Sequence, residues 1–552
     1  MQGAQAVIAC LKEEGVDVAF GYPGGMILPL YDALYDEKDL RAVLTAHEQG
    51  AAHAADGYAR ATGKVGVCLA TSGPGATNLV TGLATAFMDS IPVVAITGQV
   101  STSLLGRDAF QETDIIGVTM PVTKHGFQVK QAQDLVPFLH EAFQIAKSGR
   151  PGPVLVDVPK DLFCSEVTYT PIAHAEEVVQ PPDADFLIYA AEAADVIAHA
   201  KRPVIIAGGG VIYAGATREL RELAEHYGIP VATTLMGIGA LSRSHPLCLG
   251  FAGMHGSKTA NRAIADADLI IALGSRFGDR QTGNVSRYTK GTKFIHVDID
   301  PAEIDKNIES AIGLAGNMCV ILRLLQKAEA NAGRTQAWLQ KIRAARESFA
   351  ENYHVETLTA PWLFHHVAQW TAGKPFAFTT DVGQHQMWAA LHLRVEEPRT
   401  WLTSGGLGTM GFGLPAAVGA QMALRGQKRV IHFAGDGGMR MTGSELYTVR
   451  RENLPIISIV LNNQSLGMIR QLQKVNYRGR YIACEFPEPM DFVTYAKSFG
   501  IAGRTATTQS EFTAALQEAL SETRPFLIEA KIARDFVAPM IKGSLNEFVN
   551  FP

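Results

Sequence analysis

Val430-Ile431-His432-Phe433-Ala434-Gly435-Asp436-Gly437, followed one helix later by Ile456-Ile457-Ser458-Ile459-Val460-Leu461-Asn462-Asn463, decides the fold of this chain. The stretch reads as strand, acidic glycine turn, helix, strand, amide turn. Thr442 and Glu445 have the T-x-x-E spacing of a capping box, which predicts a helix through about Asn453 that Pro455 ends. A right-handed βαβ crossover makes the two strands parallel, so Asp436 and Asn463 are expected at the same edge of the sheet. That carboxyl edge is where open α/β sheets bind ligands. One carboxylate and one amide oxygen suit a hard cation that keeps oxygen ligands and completes its shell with a phosphate, which is Mg²⁺. Either turn alone is common; both at the ends of consecutive parallel strands point to a metal–diphosphate site.

The 552 residues exceed what one hydrophobic core serves and predict two to four domains. Hydrophobic residues make up 47% and charged residues 19%, the balance of an ordinary globular protein. A net charge of −5 gives no electrostatic case for nucleic acid or an anionic membrane. No apolar run is long and charge-free enough to span a bilayer, and Ala4 to Leu11 reads as the first turns of a helix, not an export signal. The expected location is the cytoplasm. Cys10, Cys68, Cys164, Cys248, Cys319 and Cys484 are scattered singly and read as small buried apolar residues.

Outward from the opening stretch, the same grammar of strand, glycine turn and helix recurs, and the fold class is α/β: three domains, each a mainly parallel sheet covered by helices. Residues 1–167 form the first. There Gly21-Tyr22-Pro23-Gly24-Gly25 and Thr71-Ser72-Gly73-Pro74-Gly75-Ala76-Thr77-Asn78 are turns from strand to helix, and the strands are expected at Val65–Ala70, Pro92–Gly98 and Pro153–Val158. Thr168 to Asp185, with Pro171, Pro181 and Pro182, reads as a linker. Residues 186–330 resemble a Rossmann-like unit, with a helix to His199, strands at Pro203–Ala207, Leu269–Leu273 and Phe294–Val297, and a helix at Thr217–Tyr227. Its Gly208-Gly209-Gly210 is a weak phosphate signal by itself. A charged helical stretch from Leu322 to Tyr353 is expected to bridge to a third domain at 355–552.

Glu48 is the most informative single carboxylate. A solvated glutamate at a helix start is the ordinary reading. However, Ala51, Ala52, Ala54, Ala55 and Ala59 make the following helix small and easily buried, and a carboxylate on a buried element needs a partner.

Gly435-Asp436-Gly437 followed by Asn462-Asn463 resembles the diphosphate motif of thiamine-diphosphate enzymes. Further stretches narrow the resemblance to the acetohydroxyacid (acetolactate) synthases: Gly21 to Gly25, His47-Glu48-Gln49-Gly50, Thr71 to Asn78, Ala109-Phe110-Gln111-Glu112-Thr113-Asp114, Thr123-Lys124-His125, Asp381 to Trp388 and Thr403 to Gly413. The resemblance covers nearly the whole chain. It implies thiamine diphosphate, with Mg²⁺ held by Asp436, Asn463 and the backbone of Ser465. Gln384 and His385 would bind diphosphate oxygens, and Gly435, Gly437, Gly467 and Met468 would complete that end. Met410 would be the wedge that bends the cofactor, with the Gly408 carbonyl holding its amino group. Glu48 would hydrogen-bond the pyrimidine ring and drive formation of the ylid; the glyoxylate carboligases of this family lack that Glu. The Gly25 amide would face the intermediate's oxygen, and Phe110, Gln111, Lys160 and Leu472 would line the substrate pocket. Read without the resemblance, Met410 and Phe110 are core filling.

The implied reaction is decarboxylation of pyruvate and transfer of the hydroxyethyl carbanion to a second 2-oxo acid, pyruvate or 2-oxobutyrate, as in branched-chain amino acid biosynthesis. Implied partners are small 2-oxo acids, further copies of this chain in a homodimer or homotetramer, and a small regulatory subunit. FAD is implied in the middle domain, by Met254, His255, Arg276, Asp279, Arg280 and Asp298 beside Gly208 and Gly209. Three departures stand out: Gly278 where the family has an acidic residue, Leu472 where it has Trp, and Pro539-Met540-Ile541-Lys542-Gly543 without the following Pro-Pro-Gly. The alternatives are a related lyase or carboligase with another acceptor, a flavin-redox oxidase, which would leave the synthase-type motifs unexplained, and a non-catalytic relative. The last would be free to lose Glu48, Asp436 or Asn463, and all three are present.

Overall fold

Strand-length apolar runs, each followed by a small-residue turn, become three six-stranded sheets in the computed structural model. The structure describes residues 1–171, 182–288, 290–330, 333–349, 356–535, 537–541 and 548–549. The middle of the expected linker (172–181) and Lys542 and Gly543 of the C-terminal departure lie outside them. By contacts the chain divides into two compact units. One holds Met1–Ala175, Pro375–Gln386 and Leu402–Arg534; the other holds Glu176–Lys374, Met387–Trp401 and Asp535–Pro552.

The first sheet comprises β1 (Val18–Gly21), β2 (Arg41–Leu44), β3 (Gly66–Ala70), β4 (Val93–Gln99), β5 (His125–Gln128) and β6 (Val154–Pro159), in the order β2-β1-β3-β4-β6-β5. The middle sheet comprises β7 (Pro203–Ala207), β8 (Val231–Thr233), β9 (Cys248–Phe251), β10 (Leu269–Leu273), β11 (Lys293–Asp298) and β12 (Ile312–Ala315), in the order β12-β11-β10-β7-β8-β9. The third comprises β13 (Phe376–Thr380), β14 (Trp401–Leu402), β15 (Arg429–Gly435), β16 (Ile457–Asn462), β17 (Ala502–Ala506) and β18 (Phe526–Lys531), in the order β14-β13-β15-β16-β18-β17. The first and third sheets share one strand order. The middle sheet, counted from β7, has the 3-2-1-4-5-6 order of dinucleotide-binding folds.

The unbroken apolar runs follow from burial on both faces. In the middle unit Ile205, Ala207, Ile271 and Leu273 enter the core on one side, and Val204, Ile206, Ile270 and Ala272 enter the core on the other. The expected bridging helix is corrected here. Helix Met318–Leu325 packs Met318, Ile321, Leu322 and Leu325 into the first of those cores, and helix Gln336–Ser348 packs Trp338 and Ile342 into the second. Their buried residues recur at helical spacing, so each helix covers the sheet that precedes it. The cysteine reading also needs one correction. Cys10, Cys68, Cys248 and Cys484 are buried, but Cys164 is exposed and Cys319 is half-buried; all six are free. Among the described residues no helix is long and apolar enough to cross a membrane.

Within the first unit the N-terminal and C-terminal halves meet through two helices, Glu48–Thr62 and Gly413–Ala423. A Cβ at Gly57 would stand 2.2 Å from the Ala416 carbonyl oxygen, and one at Gly419 would stand 1.8 Å from that of Ala54. The backbones therefore touch directly, and the alanines that made this helix look buried in sequence are at its interface.

The predicted capping box does not form. The chain turns helical already at Asp436, continues to Thr442, makes a single 3₁₀ turn at Gly443–Glu445 and resumes as Leu446–Arg451. Thr442 thus lies at a helix end, where no free N–H awaits it, and its hydroxyl donates to the Gly411 carbonyl at 2.9 Å. Glu445 instead reaches the other half of the unit. Its carboxylate accepts from the Ala46 amide at 3.1 Å and from Thr448 Oγ1 at 2.6 Å, against Gly50.

Burial pushes the Glu445 carboxyl up from 4.5 to about 7, against the hydrogen bonds from Thr448, Ala46 and His47 that pull it down. The neutral form is therefore favoured by folding. The stabilisation is complete below pH 4.5 and is lost as the pH rises through about 7, on the order of 3 kcal/mol. Glu445→Gln removes that titration, so between about pH 5 and 8 the thermal midpoint of the wild type should fall relative to the variant's. Parallel midpoint-against-pH curves would refute this.

Candidate functional site

Gly435 stands opposite Leu461 in the parallel register of β15 and β16, which sets Asp436 and Asn463 side by side past the carboxyl ends. Both close on one group: the Ser465 amide donates to Asp436 Oδ2 at 3.1 Å and to Asn463 Oδ1 at 3.1 Å. Asp436 is 2% exposed, and burial pushes its carboxyl up to about 6 although the Gly437 and Ser465 amides hold it down. A buried carboxylate in that condition would be stabilised by a cation. The Ser465 hydroxyl beside it is buried with no hydrogen-bond partner in the protein. Among the described residues no cluster of three or more His, Cys, Asp or Glu side chains is placed to hold a metal ion. A cation at this edge would therefore rely on one carboxylate, an amide oxygen, a backbone carbonyl and oxygens of a ligand, the donor set of a hard cation.

The neighbouring groups complete a polar cradle. Gly435 and Gly383 both pack against the His385 ring. His385 is buried, its Nε2 has no partner, and burial lowers its pKa to about 4, so it stands neutral with a nitrogen available to a ligand. Gln384 donates to Gln471 Oε1 at 2.7 Å. A Cβ at Gly467 would lie 2.2 Å from Gln384 Oε1 and 2.8 Å from Asn463 Nδ2, so only glycine leaves this space open. Gly467 opens helix Gly467–Asn476, and Met468 and Leu472, one turn apart on it and both half-buried, share a face. Met410 Cε would be 3.2 Å from a Cβ on Gly437, which brings the expected wedge to the same edge. Gly408 has φ +70, a conformation that favours glycine.

In the N-terminal half, Glu48 begins its helix and is 9% exposed, which sets aside the solvated reading. Its partner is Asn78, whose Nδ2 donates to Glu48 Oε2 at 3.0 Å from the glycine turn after β3. Nothing lies within 4 Å of a Cβ on Gly25, so the turn after β1 leaves open space there. Phe110 is 80% exposed and not core filling; the Glu112 carboxylate, which accepts from the Ala109 amide at 3.0 Å, ties down the loop that presents it. Gln111 follows with φ +61 and packs against Gly73. Lys160 begins the short helix after β6 and is half-buried.

In the other unit, the topological switch point between β7 and β10 joins Gly208 and Gly210 to Gly274. A Cβ at Gly208 would meet the Gly274 carbonyl oxygen at 2.0 Å, and the Gly208 and Gly210 amides donate to Leu273 and Gly274. These glycines pack one loop on another, and two of their amides are thereby taken. Around the switch point, His296 Nδ1 and Gln281 Nε2 are buried without hydrogen-bond partners, and the His255 ring is bonded to the Pro539 carbonyl at 2.7 Å. Met254 and Arg276 are half-buried and Asp298 is buried at the end of β11, while Asp279 and Arg280 are exposed and pair with each other at 2.6 Å. Gly278 has open space where a side chain would be.

Two buried acids were not singled out by their sequence. Asp381, raised to about 7 by burial, accepts from the Val382 and Gly411 amides and leaves no room for a side chain at Gly438. Asp89 accepts from the Gly405 and Gly406 amides. Asp381 opens one of the stretches that carry the resemblance, where no role was read for it; no short motif marks Asp89, because its partners are distant in sequence.

Comparison with known proteins agrees across the chain. The family models for the thiamine pyrophosphate enzymes match in three parts: the N-terminal TPP binding domain over residues 1–118, the central domain over 190–325 and the C-terminal TPP binding domain over 381–530. The acetolactate synthase of Mycobacterium bovis is 46% identical over 563 residues, covering 99% of this chain and 91% of that protein. The acetolactate synthase isozyme 2 large subunit of Escherichia coli is 45% identical over 537 residues, covering 96% of each. The acetolactate synthase of Mycobacterium leprae is 45% identical over 573 residues, covering 99% of this chain and 90% of that protein.

Proposed function

We propose, for a chain that belongs to the thiamine pyrophosphate enzyme family and within it to the acetolactate synthases, the reaction of that branch: decarboxylation of pyruvate and transfer of the two-carbon unit to a second 2-oxo acid. The observation that carries it is the buried Asp436 meeting Asn463 at the Ser465 amide, with neutral His385 alongside. Thiamine diphosphate, when bound, supplies the ring that stabilises the carbanion left by loss of carbon dioxide. Asp436, Asn463 and the Ser465 carbonyl would hold Mg²⁺ against its diphosphate, and Gln384 and His385 Nε2 would meet diphosphate oxygens. Glu48 keeps one oxygen on Asn78 and has the other for a proton of the pyrimidine ring. Gly25, Phe110, Gln111 and Lys160 supply the substrate side.

Phe110 at 80% and Met120 at 70% exposure, with Leu104 and Val118 beside them in sequence, form an apolar stretch that a second copy of the chain would cover. A homodimer or homotetramer is our reading, with Glu48 of one copy serving the diphosphate half of another. The Escherichia coli relative is named a large subunit, and a small regulatory partner and a cytoplasmic location belong to the same proposal. FAD fits the second unit through its dinucleotide-type strand order, the glycine contact at the switch point and the unpartnered His296 and Gln281 nitrogens. Met254, His255, Arg276 and Asp298 would hold it, with Asp279 and Arg280 at its exposed edge.

Purified protein given pyruvate, thiamine diphosphate and Mg²⁺ should form acetolactate, and Asp436→Ala should abolish cofactor retention without unfolding the chain. Turnover without thiamine, or unchanged turnover in Asp436→Ala, would defeat the reading. The same preparation should carry flavin absorbance; no absorbance, and no gain on adding FAD, would remove FAD from the proposal.

Leu472 bears on the acceptor. Leu keeps the wall apolar but lacks the flat face of the Trp that the resemblance expects, so contact with the extra methyl of 2-oxobutyrate weakens. One methylene in an apolar pocket is worth roughly 1–3 kcal/mol, about 10–200-fold in selectivity. Competition between pyruvate and 2-oxobutyrate should show weak preference in the wild type and a gain in Leu472→Trp. A strong wild-type preference for 2-oxobutyrate, with Met468 filling the gap, would sink the argument.

A further inference from the structure

We propose that Asp89, with Arg60 and Thr85, is a positioning residue for the cofactor: it fixes the loop Thr403–Phe412 so that Gly408 and Met410 are presented to the ring end of thiamine diphosphate. This rests on the thiamine-diphosphate reading above, and goes beyond it in placing the control of that loop in the N-terminal half of the same chain.

Each end of the loop is tied to buried groups. Arg60 Nη1 donates to the Thr403 carbonyl at 2.9 Å, and Gln386 Nε2 donates to Thr403 Oγ1 at 2.8 Å and to the Ser404 carbonyl at 3.1 Å. The two oxygens of Asp89 divide between successive amides: Gly405 donates to Oδ2 at 3.1 Å and Gly406 to Oδ1 at 2.7 Å. Thr85 and Thr409 share a hydroxyl contact of 2.7 Å, and Thr85 also donates to the Thr81 carbonyl, so the proton between the two hydroxyls comes from Thr409. The Thr409 amide donates to Ser404 Oγ, and the Gly411 amide to Asp381. Leu407, Gly408 and Met410 are the positions between these ties whose backbones have no hydrogen bond within the protein, among the described residues. Two of the three, Gly408 and Met410, are those that the cofactor reading assigns to its amino group and its bend.

The clamp is charged and dry. Asp56, Arg60 and Asp89 are all at most 4% exposed; Arg60 Nη2 is 2.9 Å from Asp89 Oδ2, and the guanidinium also pairs with Asp56 and lies over the Phe412 ring. Among Asp56, Arg60 and Asp89 no water stands in for a lost partner, so the charged side of the clamp holds one geometry, while Gly405 and Gly406 on the loop are exposed. Asp89 is moreover the last residue of helix Val80–Asp89, where the helix dipole disfavours an anion. Its placement serves the loop and Arg60, not its own helix. Gly406 is packed against Asp89 and Met88 closely enough that a side chain there would force the loop away.

Asp89→Asn keeps the shape, leaves Arg60 paired with Asp56, and replaces one acceptor oxygen with an amide group facing an N–H. Thr85→Val removes the hydroxyl contact to Thr409 at nearly constant volume. Two readouts test them on the full chain: hydrogen–deuterium exchange of the backbone over 403–412 without cofactor, and exchange of the cofactor's C2 proton at saturating thiamine diphosphate and Mg²⁺. A displacement of about 1 Å from a productive geometry costs on the order of 10²-fold. In Asp89→Asn we expect faster loop exchange and C2-proton exchange slower by about that factor, with a smaller effect of the same sign in Thr85→Val. A fall in thermal midpoint alone, with wild-type C2-proton exchange at saturation, overturns the inference and leaves the thiamine reading standing. If Asp89→Asn yields no folded protein, the same two readouts on Thr85→Val decide. Wild-type protein that neither binds thiamine diphosphate nor exchanges its C2 proton overturns the inference together with the reading beneath it.

Discussion

The close crossing of helices Glu48–Thr62 and Gly413–Ala423 is the contact on which the first unit depends. Gly57 against Ala416 and Gly419 against Ala54 bring two backbones into van der Waals contact, so the spacing cannot relax by moving side chains. At one end of the first helix Glu445 receives the Ala46 amide and fixes where Glu48 emerges. At the other, Arg60 and Asp89 hold the loop that leads to Gly408 and Met410. One rigid rod thus carries the proposed acid–base residue in its first turn and the proposed cofactor-shaping clamp near its last. If Glu48 serves the partner's cofactor in a dimer, the rod joins two sites and not two parts of one.

The site accepts unfavourable burial in return for chemistry. Asp436 and Asp381 are carboxyls raised by desolvation, and His385 and His432 are imidazoles lowered to about 4 and about 3 by the same cause. None of these helps the folded chain by itself. Together they make an edge that is dry, short of positive charge at Asp436 and neutral at His385, which a magnesium–diphosphate ion pair would satisfy. Stability is lost where function is installed, and the alternating apolar cores of the sheets supply the surplus.

How much of this was legible in the sequence follows from the range of the interactions. Central strands such as Leu269–Leu273 are unbroken apolar runs between polar turns, and their bounds could be read directly. The edge strand His125–Gln128 is short and half polar, with one buried residue of four, so periodicity had nothing to detect. Thr442 and Glu445 had the right spacing for a cap but the wrong place, because the helix had begun at Asp436 and both side chains were free to turn outward to other partners. Asp436, Asn463 and Ser465 were legible since a βαβ unit brings its own ends together. Asp89 was not, for its partners at Gly405 and Gly406 are more than three hundred residues away and no local pattern encodes that meeting.

The first and third sheets share one strand order, yet they present opposite chemistry at their carboxyl edges. The third gathers a buried carboxylate, amides and a neutral histidine around β15 and β16, a set built to hold charge. The first offers open space at Gly25, an exposed Phe110 and a single carboxylate held by Asn78, a set that suits the proton exchange and 2-oxo acid proposed for it. Equal topology places both sets at equivalent edges, and the residues at the turns decide what each edge can do. The middle sheet lacks the shared order, and its glycine turns pack loop on loop. Its switch point offers tight glycine packing and the unpartnered His296 and Gln281 nitrogens, the features on which the FAD proposal rests.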